Sequence, residues 1–234
     1  MTFLSGEKLV AGYGGADILH GGSIDVSEGE IAVIVGPNGS GKSTAMKAIF
    51  GMLKLKSGNV KIKGEDITSL SVFERVKKGM AFVPQTNNVF TSLTVEENLE
   101  MGAFLQQDDF SSTMEDVYAL FPVLKDKRKQ EAGELSGGQR QQVAVGRALM
   151  TKPKVLILDE PTAGVSPIIM DELFDRIIEV SKTGISILMV EQNAKQALNI
   201  ADKGFVLSQG VNKFSGTGVS LLNNTEVRKS FLGG

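Results

Sequence analysis

Short apolar runs alternate along this chain with stretches in which apolar residues recur at the spacing of a helix. The continuous runs at residues 30–35, 155–158 and 185–190 predict strands that are buried on both faces. Between these runs, apolar residues fall three and four positions apart, as they do on the buried stripe of a helix. This alternation is typical of an α/β fold with a mostly parallel core sheet.

Turn and cap residues predict the bounds of the other elements. A long helix is predicted to begin at Pro167, with Ser166 as its N-cap, and to end near Gly184. The other predicted helices lie at 42–54, 72–78 and 194–201, and the other predicted strands lie at 60–63, 80–83 and 205–207. We expect the strand at 205–207 to be the last one.

The stretch from 86 to 134 contains no convincing core strand. Thr94 begins a capping-box pattern, which predicts the start of a helix, and the polar residues 106–113 predict a loop. We therefore interpret residues 1–234 as one domain with a helical insert at about 86–134, which runs into a helix at 136–150.

Composition and charge narrow the class of protein. The 25 Lys and Arg residues against 27 Asp and Glu residues give a formal net charge of −2. This balance excludes a strongly basic nucleic-acid binder, so no nucleic-acid partner is expected. The absence of cysteine excludes disulfides, a thiolate zinc site and a cysteine nucleophile. The apolar runs are too short for a membrane-spanning helix and the N-terminus lacks a secretory-signal pattern, so we expect a cytoplasmic protein.

A glycine-rich segment directly after the first buried strand matches G-x-x-x-x-G-K-[ST], the pattern of a phosphate-binding loop. Gly39 and Gly41 would let the backbone turn its N–H groups toward phosphate oxygens, and the following helix adds its positive dipole end. Lys42 would supply positive charge to the β- and γ-phosphates, and the Ser43 hydroxyl would bind Mg²⁺. The predicted nucleotide-binding residues here are Gly36, Pro37, Asn38, Gly39, Ser40, Gly41, Lys42, Ser43 and Thr44. The alternative is a turn that is rich in glycine for structural reasons alone.

Two carboxylates follow the apolar strand at 155–158. The carboxyl ends of strands in an open α/β sheet face the ligand crevice. Asp159 would hold Mg²⁺ there, and Glu160 would polarise the attacking water as a general base. The alternative is an acidic surface loop.

The segment LSGGQ at 135–139 opens the helix that follows the insert. Ser136 and Gln139 have capping-box spacing. Gly137 and Gly138 just inside a helix cost roughly 1 kcal/mol each relative to alanine. Close approach to an anion at the helix N-terminus would compensate for that cost, which makes Ser136, Gly137, Gly138 and Gln139 candidate nucleotide-binding residues.

The segments GPNGSGKST, LSGGQ and VLILDEP, in this order, resemble the nucleotide-binding subunits of ABC transporters over essentially the whole chain. The resemblance implies a P-loop NTPase fold with an antiparallel β subdomain beside the mostly parallel core sheet and the helical insert. It implies Mg²⁺-dependent ATP hydrolysis, with ATP and Mg²⁺ as ligands. It also implies a head-to-tail dimer in which the LSGGQ segment of one subunit covers the γ-phosphate of ATP on the phosphate loop of the other.

Two further residues match this family by position. Tyr13 corresponds to the aromatic residue that stacks on adenine, and Gln85 corresponds to the glutamine that reaches Mg²⁺ and the attacking water. Gln85 also joins the body to the insert, which in the family docks the transmembrane partner. A structural turn tyrosine and an ordinary glutamine at a strand end are the alternatives.

Two positions depart from the family pattern. Gln192 stands where the family has its switch histidine, and its amide can donate to a γ-phosphate oxygen but cannot carry charge or move a proton. The only histidine, His20, is far away in sequence and is interpreted as structural. Ser166 stands where the family's dimer-contact loop usually ends in aspartate, which leaves that contact open.

Several stretches, including residues 94–102, 146–150, 190–194 and 231–234, resemble the LivF-type ATP-binding subunit of branched-chain amino acid importers. The resemblance implies a second ATP-binding subunit, two membrane permeases and, indirectly, a periplasmic solute-binding protein. It also implies a peripheral location at the cytoplasmic face of a bacterial or archaeal inner membrane. A urea or amide importer of the same branch, a soluble ABC ATPase and a P-loop kinase are the alternatives.

Overall fold

Two sheets organise the part of the chain that the computed structural model describes, residues 2–86, 88–106 and 109–231. The strands are β1 (Thr2–Tyr13), β2 (Ala16–Ser27), β3 (Ile31–Val35), β4 (Ser57–Ile62), β5 (Glu65–Asp66), β6 (Met80–Val83), β7 (Val155–Asp159), β8 (Ser186–Val190), β9 (Lys203–Ser208) and β10 (Val211–Gly216).

The larger sheet, called the core sheet below, has the strand order β10-β9-β3-β8-β7-β6. Its strands pair in parallel except for β10, which is antiparallel to β9. The small sheet has the order β2-β1-β4-β5 and is antiparallel throughout. Both the parallel core sheet and the antiparallel subdomain expected from the sequence are therefore confirmed.

Ten α-helices surround these sheets within the described residues. They are α1 (Lys42–Phe50), α2 (Val72–Lys77), α3 (Val95–Glu100), α4 (Ser111–Leu120), α5 (Pro122–Asp126), α6 (Gly137–Leu149), α7 (Pro167–Lys182), α8 (Ala194–Asn199), α9 (Gly218–Asn223) and α10 (Thr225–Phe231). Between 86 and 134 the described residues form α3, α4, α5 and two 3-10 turns, and none of them joins either sheet.

The core lies on both faces of the core sheet. Ile31, Val33 and Val35 of β3 pack on one side with residues of the insert, α6 and α7, whereas Ala32 and Ile34 pack on the other side with α1 and the small sheet. Because β3 is buried on both faces, its apolar run is continuous. Among the described residues, no helix has both the length and the apolar composition that a membrane span requires.

Several element predictions were wrong in their bounds, including the strand predicted at 60–63, which is β4 at Ser57–Ile62. The helix predicted to reach residue 54 ends at Phe50, because Gly51 adopts a left-handed conformation and its N–H caps the last turn. Strand 205–207 is not the last one, since β10 follows it. The predicted loop at 106–113 already turns helical at Ser111, whose N–H donates to the Asp109 carboxylate at 2.9 Å.

Residues 107 and 108 of that predicted loop, and residues 232–234 of the C-terminal match, lie outside the described residues.

Candidate functional site

The predicted site residues converge on one edge of the core sheet. The phosphate loop follows β3, Gln192 follows β8, Asp159 ends β7 and Gln85 comes shortly after β6. These four strands are neighbours in the order β3-β8-β7-β6, and all of them run parallel. Their carboxyl ends therefore meet at the edge where ligands bind in open α/β sheets.

The phosphate loop has the curled backbone that its glycines predict. Gly39 and Gly41 have φ values of 79° and 100°, a region that favours glycine. A contact that the sequence pattern did not predict supports the loop from behind, where the Gly210 N–H donates to the Ser40 carbonyl at 3.0 Å. Gly210 lies in the turn between β9 and β10, so the end of the core sheet helps to hold the loop.

Lys42 is a buried cation at the first position of α1. Lys42 is only 5% exposed, and its Nζ donates to the Gly36 and Pro37 carbonyls at 2.9 and 3.2 Å. Burial lowers the pKa of Lys42, while the nearby carboxylates of Glu160, Asp159 and Glu191 act in the opposite direction. None of the ion pairs formed by the described residues involves Lys42. A buried ammonium with a remaining N–H and no contacting carboxylate fits a phosphate ligand.

Two short hydrogen bonds join the predicted metal-binding and catalytic residues in pairs. The Ser43 hydroxyl donates to Asp159 Oδ1 at 2.9 Å, and Gln85 Nε2 donates to Glu160 Oε2 at 3.0 Å. A hydroxyl, a carboxylate and an amide oxygen form the hard oxygen set that Mg²⁺ prefers, and Mg²⁺ keeps its other positions for phosphates and water. The donor chemistry of Ser43, Asp159 and Gln85 thus fits Mg²⁺, although no group of three or more His, Asp or Glu residues within the described segments is arranged to hold a metal ion.

Glu160 is held in an unusual backbone conformation at the end of β7. Its φ of 47° lies in the left-handed region, which costs a residue with a side chain about 1–2 kcal/mol. The Glu160 N–H donates to the Val190 carbonyl at 3.0 Å and its carbonyl accepts from Ala163 N at 3.1 Å. These bonds keep the carboxylate at the sheet edge, half-buried and oriented by Gln85.

Gln192 reaches the phosphate loop directly. Its Nε2 donates to Asn38 Oδ1 at 2.9 Å, although the two residues are 154 positions apart in the sequence. The structure therefore brings the residue at the switch position into contact with the loop that would hold the phosphates.

The start of α6 carries the predicted capping box. The Ser136 side chain accepts from the Gln139 N–H at 3.3 Å, and Gln139 Oε1 accepts from the Ser136 N–H at 3.1 Å. Capping uses Ser136 Oγ as an acceptor, so its hydroxyl proton remains free to donate to an anion. The side-chain oxygen of Gln139 is already engaged in the cap.

The two glycines of this helix start have different surroundings. A Cβ on Gly138 would lie 2.1 Å from Ile169 Cγ2 of α7, so contact within the chain excludes a side chain there. A Cβ on Gly137 would meet nothing closer than Val165 Cγ1 at 4.0 Å. Approach to an anion, the reason predicted for both glycines, is therefore not needed to explain Gly138, and for Gly137 it stays a prediction. No hydrogen bond between described residues links Ser136 or Gly137 to the phosphate loop of the same chain.

Three other predicted positions lie at the periphery. Tyr13 ends β1 as an exposed residue, with 48% of its surface accessible. Ser166 is confirmed as the N-cap residue of α7, although its hydroxyl makes no capping hydrogen bond. His20 lies exposed on β2, its backbone N–H donates to the Gly210 carbonyl at 2.9 Å, and the structural role of its side chain stays a prediction.

Sequence reasoning missed a buried pair beneath the site. Glu191 accepts from both the backbone N–H and the hydroxyl of Thr162, at 3.0 and 2.9 Å. The one signal in the sequence is that an acidic residue directly follows the apolar run of β8, as Asp159 ends that of β7.

Comparisons with known proteins identify the family. A family model described as ABC transporter matches residues 19–163. The high-affinity branched-chain amino acid transport ATP-binding protein BraG of Pseudomonas aeruginosa is 44% identical over 232 residues, which are 99% of this chain and 100% of the relative. The probable branched-chain amino acid transport ATP-binding protein LivF of Archaeoglobus fulgidus is 43% identical over 228 residues, 97% of each protein.

A solved structure gives the same answer for the fold. The crystal structure of the ADP conformation of MJ1267, an ATP-binding cassette of an ABC transporter, matches with a TM-score of 0.90 at 31% identity, and the match covers 100% of both chains. Because the family model covers more than half of the chain and the relatives match nearly all of it, this chain belongs to the ATP-binding cassettes of the ABC transporter family.

Proposed function

We propose that this chain is the ATP-binding and ATP-hydrolysing subunit of an importer for branched-chain or other hydrophobic amino acids. The proposed ATPase activity rests on one observation. Lys42, the Ser43–Asp159 pair and the Gln85–Glu160 pair lie together at one sheet edge. The proposed cargo is supported by BraG and LivF, two nearly full-length relatives whose names specify branched-chain amino acid transport. These relatives favour amino acid import over the three alternatives, which are a urea or amide importer, a soluble ABC ATPase and a P-loop kinase.

The triphosphate would bind through fixed dipoles and one buried charge. The loop from 36 to 44 presents backbone N–H groups, and α1 adds its positive end. Lys42, already desolvated, would give its remaining N–H to the β- and γ-phosphates. Tyr13, exposed at the end of β1, would stack on the adenine.

Ser43, Asp159 and Gln85 are the residues that would hold Mg²⁺, directly or through water. The chemistry that Mg²⁺ supplies in such sites is neutralisation of the charge on the phosphate oxygens. Glu160 would accept the proton of the attacking water while Gln85 holds its carboxylate in place. Gln192 would exchange Asn38 for a γ-phosphate oxygen as its acceptor.

The remaining contacts would come from a second ATP-binding subunit, either identical or related. Ser136 keeps a free hydroxyl proton and Gly137 has open space around it, so both can approach a phosphate held by another subunit. Closure of such a dimer around two ATP molecules is the proposed power stroke, and hydrolysis would reopen it.

An apolar groove beside the site suits a permease helix. It has a volume of about 370 Å³ and lies between the body and the insert. Its exposed apolar residues are Met52, Phe90, Met101 and Phe104. The Arg147 guanidinium lies 4.9 Å from the Phe90 ring centroid, so a cation borders the groove and would favour an acidic or polar helix end.

The groove and the site share one segment of chain. Pro84 lines the groove and the next residue, Gln85, contacts Glu160. Movement of a docked permease helix would therefore shift Gln85 and, through it, the proposed catalytic carboxylate of Glu160. We place the chain at the cytoplasmic face of the membrane, beneath two permease subunits served by a periplasmic binding protein.

Replacement of the proposed general base tests this function. Glu160→Gln should lower ATP turnover by at least about 100-fold, since general-base help is typically worth 10²–10⁴, while ATP binding persists. Size-exclusion chromatography should then show an ATP-dependent dimer, alone or with the related subunit. Chelation of Mg²⁺ should abolish wild-type turnover, and added Mg²⁺ should restore it.

Glu179→Gln, an exposed change on α7, is the matched control and should behave as the wild type. A Glu160→Gln protein that hydrolyses ATP normally would overturn the assignment of the base. One that remains monomeric at saturating ATP, even with the related subunit, would overturn the dimer.

A further inference from the structure

A buried carboxylate that none of the steps above uses lies directly beneath the switch position. Glu191 follows the last residue of β8 and is only 2% exposed. Its backbone N–H donates to the Ile34 carbonyl at 3.2 Å, which anchors it to the strand that leads into the phosphate loop. The side chain is therefore fixed at its base and enclosed by protein.

Glu191 binds two loops with its two oxygens. Oε1 accepts from the Thr162 N–H and hydroxyl at 3.0 and 2.9 Å, and Oε2 accepts from the Gln192 N–H at 3.1 Å. Thr162 is itself buried and lies between Glu160 and the dimer-contact position Ser166. One carboxylate thus joins the loop at 160–166 to the residue at the switch position.

The charge of Glu191 is costly in this position. Burial raises the pKa of its carboxyl group, and hydrogen bonds from Thr162 and Gln192 only partly oppose that effect. Across 2–86, 88–106 and 109–231, no ion pair includes Glu191, although its negative charge acts to raise the pKa of the nearby Lys42. Burial of an ion without a contacting counter-ion is weak support for a purely stabilising role.

We propose that Glu191 is a positioning residue that makes the loop at 160–166 and Gln192 move as one unit. The inference rests on the proposed function, because it concerns how that ATPase site is assembled. Glu160 is bound to Val190 through its backbone and Gln192 is bound to Asn38 through its side chain, so Glu191 sits between the two active groups. When a second subunit presses on the dimer-contact loop, the displacement passes through Thr162 and Glu191 to Gln192.

The test is the isosteric change Glu191→Gln, studied in the full chain assembled with its transporter partners. A glutamine can accept from Thr162 through its oxygen, but its NH₂ group cannot accept from the Gln192 N–H. We expect kcat for ATP to fall about tenfold or more, whereas the Kd for ADP with Mg²⁺ changes less than about threefold. The Tm should stay equal or rise, since a buried charge is removed.

A second pair of variants addresses the other end of the link. Thr162→Val keeps the shape of the side chain but removes the hydroxyl donor, and should lower kcat in the same direction as Glu191→Gln. Thr162→Ser returns the hydroxyl and should rescue kcat relative to Thr162→Val. The exposed change Glu179→Gln is again the control for loss of one carboxylate.

A Glu191→Gln protein with kcat within twofold of the wild type would overturn the inference while the proposed function stands. Parallel losses of Tm, ADP affinity and kcat would also overturn it, since they indicate a merely structural role. A wild-type complex without ATPase activity would instead overturn the proposed function, and this inference with it.

Discussion

The start of α6 contains three consecutive residues whose surroundings differ, namely Ser136, Gly137 and Gly138. The serine caps the helix with a lone pair and keeps its proton, Gly138 makes room for Ile169, and Gly137 has no close neighbour in its own chain. Adjacent glycines in one motif therefore separate into Gly138, which contact within the chain explains, and Gly137, which it does not and for which we propose an external ligand.

Alanine at each glycine should separate the two explanations. Gly138→Ala should destabilise the protein by about 1–3 kcal/mol, because a Cβ would overlap Ile169. Gly137→Ala should instead stabilise it by about 0.5–1 kcal/mol, the usual gain of alanine over glycine in a helix, and should lower ATP turnover. Urea unfolding and ATPase assays measure the two effects.

The double variant Gly138→Ala with Ile169→Ala is the control, since removal of the isoleucine branch should recover part of the lost stability. Equal destabilisation by alanine at both glycines would contradict this division.

Single residues of this site are predictable from the sequence where a short motif carries the chemistry. The phosphate loop, Asp159 and Glu160 can all be assigned to one sheet edge from the sequence alone, because each follows an apolar run that is typical of a strand. The Glu191–Thr162 pair and the Gly138–Ile169 contact cannot, because each joins residues about 30 positions apart whose proximity depends on tertiary packing.

Helix α1 shows how one element is completed by another. Its C-terminal carbonyls have no partner within the helix, and the buried guanidinium of Arg75 on α2 supplies donors to Ile49 and Ala48 at 2.5 and 3.4 Å. The same group donates to the Leu70 and Thr68 carbonyls at 3.1 and 2.8 Å. The helix that would bind phosphate at its start is thus fixed at its end by a residue outside it.

Loss of this guanidinium should destabilise the fold. Arg75→Met would leave buried carbonyls without donors, and we expect the free energy of unfolding to fall by about 2–4 kcal/mol. The free energy of unfolding of Arg75→Lys should lie between those of Arg75→Met and the wild type, because one ammonium cannot reproduce the planar fork of donors on a guanidinium. Lys77→Met on the exposed side of the same helix is the matched control for denaturant unfolding. Similar losses for Lys77→Met and Arg75→Met would exclude the capping role.

Element boundaries were predictable where burial is uniform. The parallel strands β3, β7 and β8 are buried at every position, so their apolar runs mark them almost to the residue. β10 alternates between exposed and half-buried positions, and its polar residues give no apolar run. It was missed because its pairing with β9, not its side chains, defines it as a strand.

At the scale of the whole molecule, the sheet edge with the candidate site and the apolar groove are connected. The insert packs on the same buried cluster as one face of the core sheet, so groove and site are built on a continuous core. The chain between them passes through Pro84 and Gln85. A permease held in the groove and a nucleotide held at the edge would therefore influence each other.

A charge placed in the groove should break assembly without unfolding the chain. Phe104 is 61% exposed, so Phe104→Asp should change the free energy of unfolding by less than about 0.5 kcal/mol. Copurification with the permease subunits should be lost, and with it transport of the amino acid.

Val219→Asp is the control, since Val219 is equally exposed at 65% but lies on α9 and does not line the groove. If both variants still copurify with the permease, the groove is not the docking surface.

Glu160 adopts a backbone angle that glycine or asparagine would accept at lower cost. Laboratory evolution for heat resistance alone would therefore enrich replacements at this position, and each would discard the carboxylate that we propose as the general base. A more thermostable variant of this protein should therefore keep residue 160 unchanged and carry its mutations in regions remote from the sheet edge.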